Sequence, residues 1–149
     1  MARISVQTED FDIGREFAAL SNARSGIGGI GCFVGIVRDN ARDRLVAMTL
    51  EHYPGMTERA IKRIAGEAER RWNLLGCTII HRVGRLATAE NIVLVLVAAA
   101  HRQSALEATA FLIDWLKTKA PLWKKEEFAS GATTWVEPRD EDDARAARW

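Results

Sequence analysis

Alternating apolar and polar positions over Arg3–Thr8 predict an edge strand. Asp12 then stands at a cap position ahead of Ile13, Phe17 and Leu20, which share one face of a short helix running to Asn22. The run Ser25-Gly26-Ile27-Gly28-Gly29-Ile30-Gly31 lacks the glycine spacing of a dinucleotide-binding turn. It reads instead as a glycine-rich entry into a strand over Ile30–Val37, where small residues let backbones approach closely. A polar loop, Arg38–Arg44, leads to a strand over Leu45–Tyr53 that Pro54-Gly55 ends in a turn. Thr57 opens a long helix. Ala60, Ile61, Ile64, Ala65, Ala68 and Trp72 form its apolar stripe, with charges on the remaining surface.

The second half predicts a strand over Gly76–Val83, a connection over Arg85–Asn91, and an apolar run over Ile92–Ala100. That run does not alternate, which is the pattern of a strand buried on both faces in the middle of a sheet. Ser104 and Glu107 have capping-box spacing and predict a helix with Ala108, Phe111, Leu112, Trp115 and Leu116 inward, stopped near Ala120 by Pro121. Leu122–Phe128 is amphipathic and decides no element. Ala132–Val136 suits a short strand, and Asp140–Arg148 is a charged tail with helical potential. The order predicts an α+β fold with two principal helices against one sheet face.

Composition narrows the class. The 149 residues suit a single domain spanning 1–149, with 48% hydrophobic and 28% charged residues, which is globular composition. Lys plus Arg number 21 against 20 Asp plus Glu, and a net charge of +1 argues against a dedicated nucleic-acid binder. The longest apolar run falls far short of the roughly 20 residues of a membrane helix, and Glu9, Asp10 and Asp12 interrupt any signal-like segment. A soluble cytoplasmic protein is the expectation. Cys32 and Cys77 read as buried reduced thiols. His52, His81 and His101 have no zinc spacing and read as structural or hydrogen-bonded, so neither metal nor cofactor is expected.

Candidate chemistry gathers at strand ends. His101 and Arg102 stand between a buried strand and a helix start, a place suited to an anion. Lys117 and Lys119 close that helix, Lys124 and Lys125 follow the Pro121 break, and Arg38 ends another strand. Lysines in a last helical turn also complement the helix dipole with no ligand present. Among the tryptophans, Trp123, Trp135 and Trp149 flank charges and suit a pocket or interface edge. A non-catalytic interaction module is the competing class.

Six motifs in order carry a family resemblance. They are Phe33-Val34-Gly35-Ile36-Val37-Arg38, Leu50-Glu51-His52-Tyr53-Pro54-Gly55-Met56, Ile80-His81-Arg82-Val83-Gly84, Ala100-His101-Arg102, the segment from Leu116 to Glu126, and Trp135-Val136-Glu137. Together, from about Ile4 to Trp149, the chain resembles the large, catalytic subunit of molybdopterin synthase. The resemblance implies an α/β hammerhead-like domain with an additional antiparallel β subdomain. It implies a sulfurtransferase that converts cyclic pyranopterin monophosphate to molybdopterin. The sulfur donor would be the C-terminal thiocarboxylate of a small ubiquitin-like partner subunit. The implied assembly is a heterotetramer around a homodimer of large subunits, and the alternative is a scaffold subunit on the same fold. Lys117 matches the lysine beside the thiocarboxylate and Lys124 the second essential lysine. Ile36, Val37, Arg38, His101, Arg102, Lys125 and Glu126 match the substrate pocket, and Arg139 an arginine contributed by the neighbouring large subunit. The implied pocket brings Lys117, Lys124, His101 and Arg38 together. Two departures stand out: the loop Asp39-Asn40-Ala41-Arg42-Asp43, where many relatives have a longer stretch with Asn and Gly, and Ala89, at a turn where relatives commonly have Gly.

Overall fold

The structure, a computed structural model, describes residues 2–39, 42–137 and 139–149, so Asn40 and Ala41 of the departing loop lie outside the described residues. The elements in chain order are β1 (Ala2–Gln7), α1 (Ile13–Ser21), β2 (Gly29–Ile36), β3 (Leu45–His52), α2 (Met56–Trp72) and β4 (Gly76–Arg82). They continue with β5 (Gly84–Ala87), β6 (Asn91–Ala99), α3 (Arg102–Thr118), β7 (Leu122–Phe128), β8 (Thr133–Val136) and α4 (Asp140–Ala147). The strands form two four-stranded sheets, ordered β1-β4-β6-β2 and β5-β3-β7-β8. The first is mixed, because β1 runs parallel to β4 while β4 and β2 run antiparallel to β6. The second is wholly antiparallel. This is the expected α+β, hammerhead-like fold with its added antiparallel subdomain.

Strand β6 organises the first sheet. Val93, Val95 and Val97 point into the main core with Cys77 and Ile79 of β4, beneath α2 and α3. The intervening Leu94 and Leu96 point the other way, with Ile80, against Phe11 and Leu20 of the α1 segment. The run without alternation therefore does occupy a strand covered on both faces. Helix α1 begins as its sequence predicts, with the Asp12 carboxylate accepting from the Arg15 N–H at 2.9 Å.

Helix α3 lies along β2 and β6, and the glycines of β2 permit its close approach. The Arg102 Cα lies over Gly29, and a Cβ at Gly31 would collide with the Thr109 hydroxyl and stand 2.8 Å from the Ala105 carbonyl. The glycine run thus serves helix-on-sheet packing.

Three expectations need correction. The capping box at Ser104 does not form. His101 is the N-cap in extended backbone, because the Ala105 N–H already bonds the His101 carbonyl and starts the helix three residues earlier. The Glu107 carboxylate instead accepts from Gln103 and from the Trp72 indole at 3.0 Å. Cys77 is buried, but Cys32 is exposed, because β2 is an edge strand and α1 packs over β4 and β6. Part of the Arg85–Asn91 connection is strand β5, paired to β3 from Gly84 to Ala87. Leu122–Phe128, undecided by pattern, is strand β7, and the charged tail forms α4.

Ala89 occupies the left-handed region, φ +75°, where an L side chain is strained and glycine is not. Ala89→Gly is expected to raise stability by about 1 kcal/mol, whereas Gly31→Ala lowers it by about 1–3 kcal/mol through overpacking. Urea denaturation of the two variants checks both signs.

Candidate functional site

Two lysines are delivered from different elements to one place. Lys117 lies in the last turn of α3, and Lys124 lies in β7, beyond the chain reversal at Pro121. Strand alternation decides which way β7 residues point. Lys124 pairs with the fully buried Leu50 of β3 and with Val136 of β8, so it shares the inner face of the second sheet. Glu126, opposite Met48, shares that face. Lys125 points outward, opposite Trp135, with its ammonium 5.9 Å from that ring's centroid.

The inward lysine is electrostatically unusual. The Lys124 pKa is lowered to about 8, first by burial and then by the neighbouring Lys117 charge, with the Asp142 and Glu126 carboxylates opposing both. His81, on the inner face of β4 opposite Val93, is driven to about 4, first by burial and then by the charges of Lys124, Lys117 and His52. Its Nδ1 is 2.8 Å from the Arg82 carbonyl, so the proton sits on Nδ1 and the ring is neutral near pH 7. Arg82 is held in turn, its guanidinium donating to the Thr8 carbonyl at 3.0 and 3.1 Å and to the Asn91 carbonyl at 3.0 Å. The cluster thus draws on α3, β7, β4, β3 and the first turn of α4, and such a partly dry pair of cations suits an anion.

Placement of the remaining candidates follows from topology. Ile36 is exposed, Val37 is buried with its backbone bonded to Glu90 and Ala89, and Arg38 is exposed just beyond β2. Because β2 and β4 both run antiparallel to β6, Arg38 stands at the same end of the first sheet as His81. His101 and Arg102 do not join this cluster within the chain. They begin α3 over Gly29, and Lys117 ends it, about 22 Å farther along at 1.5 Å per residue. Arg139 is exposed at the N-cap of α4, 3.3 Å from Glu141. His52, His81 and Asp142 were not singled out as site residues by the sequence. For His81 the usable signal was period two, which puts it on the face of Cys77 and Ile79.

A separate cavity of about 270 Å³ is lined by Arg63, Phe111, Trp115, Lys119 and Trp149, not by Lys117 or Lys124. It borders an aromatic cluster in which the Trp149 ring meets Trp72 and Phe111 edge-on and its indole donates to Asp114 at 2.7 Å. Among the described residues no helix is long and apolar enough to cross a membrane.

Fold and cluster define a hammerhead-like α+β protein with a partly buried lysine pair between its two sheets. The model of the MoaE protein family matches residues 6–119. The "molybdopterin synthase catalytic subunit" of Pseudomonas aeruginosa is 53% identical over 147 residues, covering 98% of this chain and 97% of that one. The solved "molybdopterin biosynthesis MoaE protein" of Burkholderia ambifaria superposes with a TM-score of 0.85 at 50% identity, covering 100% of this chain and 98% of the other. A chain in a "protein-protein complex of subunit 1 and 2 of molybdopterin-converting factor" from Helicobacter pylori shares the fold, with a TM-score of 0.69 at 19% identity, covering 93% and 91%. The chain belongs to the MoaE family, the catalytic-subunit family of molybdopterin biosynthesis.

The Lys124 pKa has a stability consequence. Its native value of about 8 lies below the ordinary 10.5, so between them the unfolded chain binds more proton and this group's contribution to stability rises with pH. Lys124→Met is therefore expected to stabilise the fold at pH 7, by at most about 3 kcal/mol. The gain shrinks toward pH 10. Urea denaturation at both pH values measures it.

Proposed function

We propose that this chain is the sulfur-transferring subunit that converts cyclic pyranopterin monophosphate to molybdopterin. A small ubiquitin-like partner supplies the sulfur as its C-terminal thiocarboxylate. The observation that carries the reading is the Lys117–Lys124 pair, two cations from separate elements brought together where burial disfavours charge. A structural role would not need that placement, whereas a thiocarboxylate and a phosphate ester both bring the negative charge that compensates it.

In this reading Lys117 lies beside the thiocarboxylate. The thiocarboxylate sulfur attacks an electrophilic carbon of the pterin side chain; a carbon–sulfur bond forms, a carbon–oxygen bond at that carbon breaks with its oxygen leaving protonated, and the partner becomes a thioester. Water then cleaves the acyl–sulfur bond, leaving sulfur on the substrate and a carboxylate on the partner. A second partner repeats the cycle to complete the dithiolene. Lys117 stabilises the charge that develops on the acyl oxygen. Lys124, with a pKa near neutrality, exchanges a proton with departing oxygen. Arg38 contacts the phosphate, for which a guanidinium fork is suited. Ile36, Val37 and Glu126 border the pterin, and Lys125 adds positive charge from the outer face of β7.

His101 and Arg102 enter the same pocket from a second copy, because the length of α3 keeps them from Lys117 in their own chain. Arg139 arrives from that neighbour as well. The functional unit is then a homodimer carrying a small subunit at each end. The two-subunit composition of the Helicobacter pylori complex supports such a partner. A cytoplasmic location fits this assembly.

The test combines the chain with thiocarboxylated small subunit and the cyclic precursor. Wild type is expected to form dithiolene product, and Lys117→Ala to lose roughly 100-fold or more in turnover while still binding the partner. Unaltered turnover in that variant would refute the role of Lys117.

A further inference from the structure

We propose that Thr57 is a positioning residue for the lysine pair, its buried hydroxyl fixing the chain reversal that sets Lys124 against Lys117. The inference rests on the function proposed above for those lysines. Thr57 is fully buried in the first turn of α2. Its hydroxyl donates to the Pro121 carbonyl at 2.9 Å, 64 positions away in sequence, and accepts from the Tyr53 N–H at 3.0 Å. The Thr57 N–H in turn donates to the Tyr53 carbonyl at 2.9 Å. Tyr53-Pro54-Gly55-Met56 thus forms a closed turn, with Gly55 at φ +85°, that presents one hydroxyl to one carbonyl. This gives a purpose to a motif that the lysine chemistry alone does not use.

Pro121 lies four residues after Lys117 and three before Lys124. Proline has no N–H, so its own amide cannot anchor the reversal. The anchor comes to its carbonyl instead. Its register matters because adjacent strand residues face opposite sides, and a one-residue slip of β7 would turn Lys124 outward and bring Lys125 inward. The ladder tolerates irregularity at its far end, where β3 and β7 shift register between Leu45 and Ala47. The Thr57–Pro121 bond fixes the near end, next to the His52–Leu122 pair. Facing Lys124 are Lys117 from α3, His81 from β4, Asp142 from α4 and Glu126 from its own strand, so its titration reports its placement.

Thr57→Val keeps the shape and removes the hydroxyl, and Thr57→Ser keeps the hydroxyl. The first measurement is acetylation of Lys124 by acetic anhydride across pH, read by peptide mass spectrometry on the full chain. In wild type and Thr57→Ser the half-point is expected at about 8. In Thr57→Val it moves up by about one unit toward the ordinary lysine value, as the ammonium gains water. The second is turnover with the thiocarboxylated partner. Here the kcat of Thr57→Val falls about tenfold, KM for the partner stays within about twofold, and serine restores the rate. An unmoved Lys124 profile in folded Thr57→Val overturns the proposal whatever the activity. So does a valine variant that fails to fold while serine folds, since the role is then structural only. A shifted profile with a wild type that makes no product sustains the positioning and removes the function assigned to the pair.

Discussion

Everything in this fold follows from covering β6 on both faces. Its valines and leucines alternate into two apolar layers, so one face must take α2 and α3 and the other must take the α1 segment. At about 25 cal/mol per Å² of apolar surface, that double burial is the main stabilising term available to a chain this small. The cover also has direction. Helix α3 begins where β6 leaves the sheet and must run back along it, so its C-terminus returns to the end from which β6 started. Lys117 is carried there by packing, and the same length of helix strands His101 and Arg102 at the opposite end. One constraint thus puts one part of the chemistry together and keeps another part apart.

The second sheet completes the site at an energetic cost. Lys124 lies on the sheet's inner face next to Leu50, where an ammonium is poorly solvated. Asp142 and Glu126 offset only part of that cost, and Lys117 adds to it. His81 does not compete for the proton, because its Nδ1 hydrogen is committed to the Arg82 carbonyl and burial keeps the ring neutral. The cluster is therefore a balance that an anion tips. Arrival of negative charge would raise the Lys124 pKa and favour its protonated form further, which couples ligand binding to proton uptake above neutral pH.

Most of the first sheet was legible in the sequence because its signals are local. Asp12 caps α1, the Ile92–Ala100 run marks a doubly covered strand, and Ala60 through Trp72 mark the buried stripe of α2. Where reading failed, a tertiary contact had outweighed a local one. The Ser104–Glu107 spacing lost to the bond between Ala105 and His101, and Glu107 was claimed by Trp72 from another helix. Strand β7 was undecided because its inner face carries Lys124 and Glu126, charged groups that break apolar alternation. The lysines were visible as residue types and, through the family motifs, as candidates. That Lys124 faces inward while Lys125 faces outward depends on pairing with β3, and no local pattern carries that.

The inward placement of Lys124 bears on the choice between an enzyme and a scaffold. A scaffold gains nothing from an inward ammonium whose pKa is lowered toward neutrality, since a methionine of similar length would fill the same space at lower cost. An enzyme gains a group that exchanges protons near pH 7 and that strengthens its hold on an anion as negative charge develops. The exposed aromatics on the outer face of the second sheet, Tyr53 against Trp123 and Trp135 beside Lys125, are what a scaffold would use, and they face away from Lys124. The exposed aromatics and the inward ammonium are thus on opposite sides of one strand. The cost borne at Lys124 is what the proposed chemistry on the inner side would account for, and association on the outer side would not.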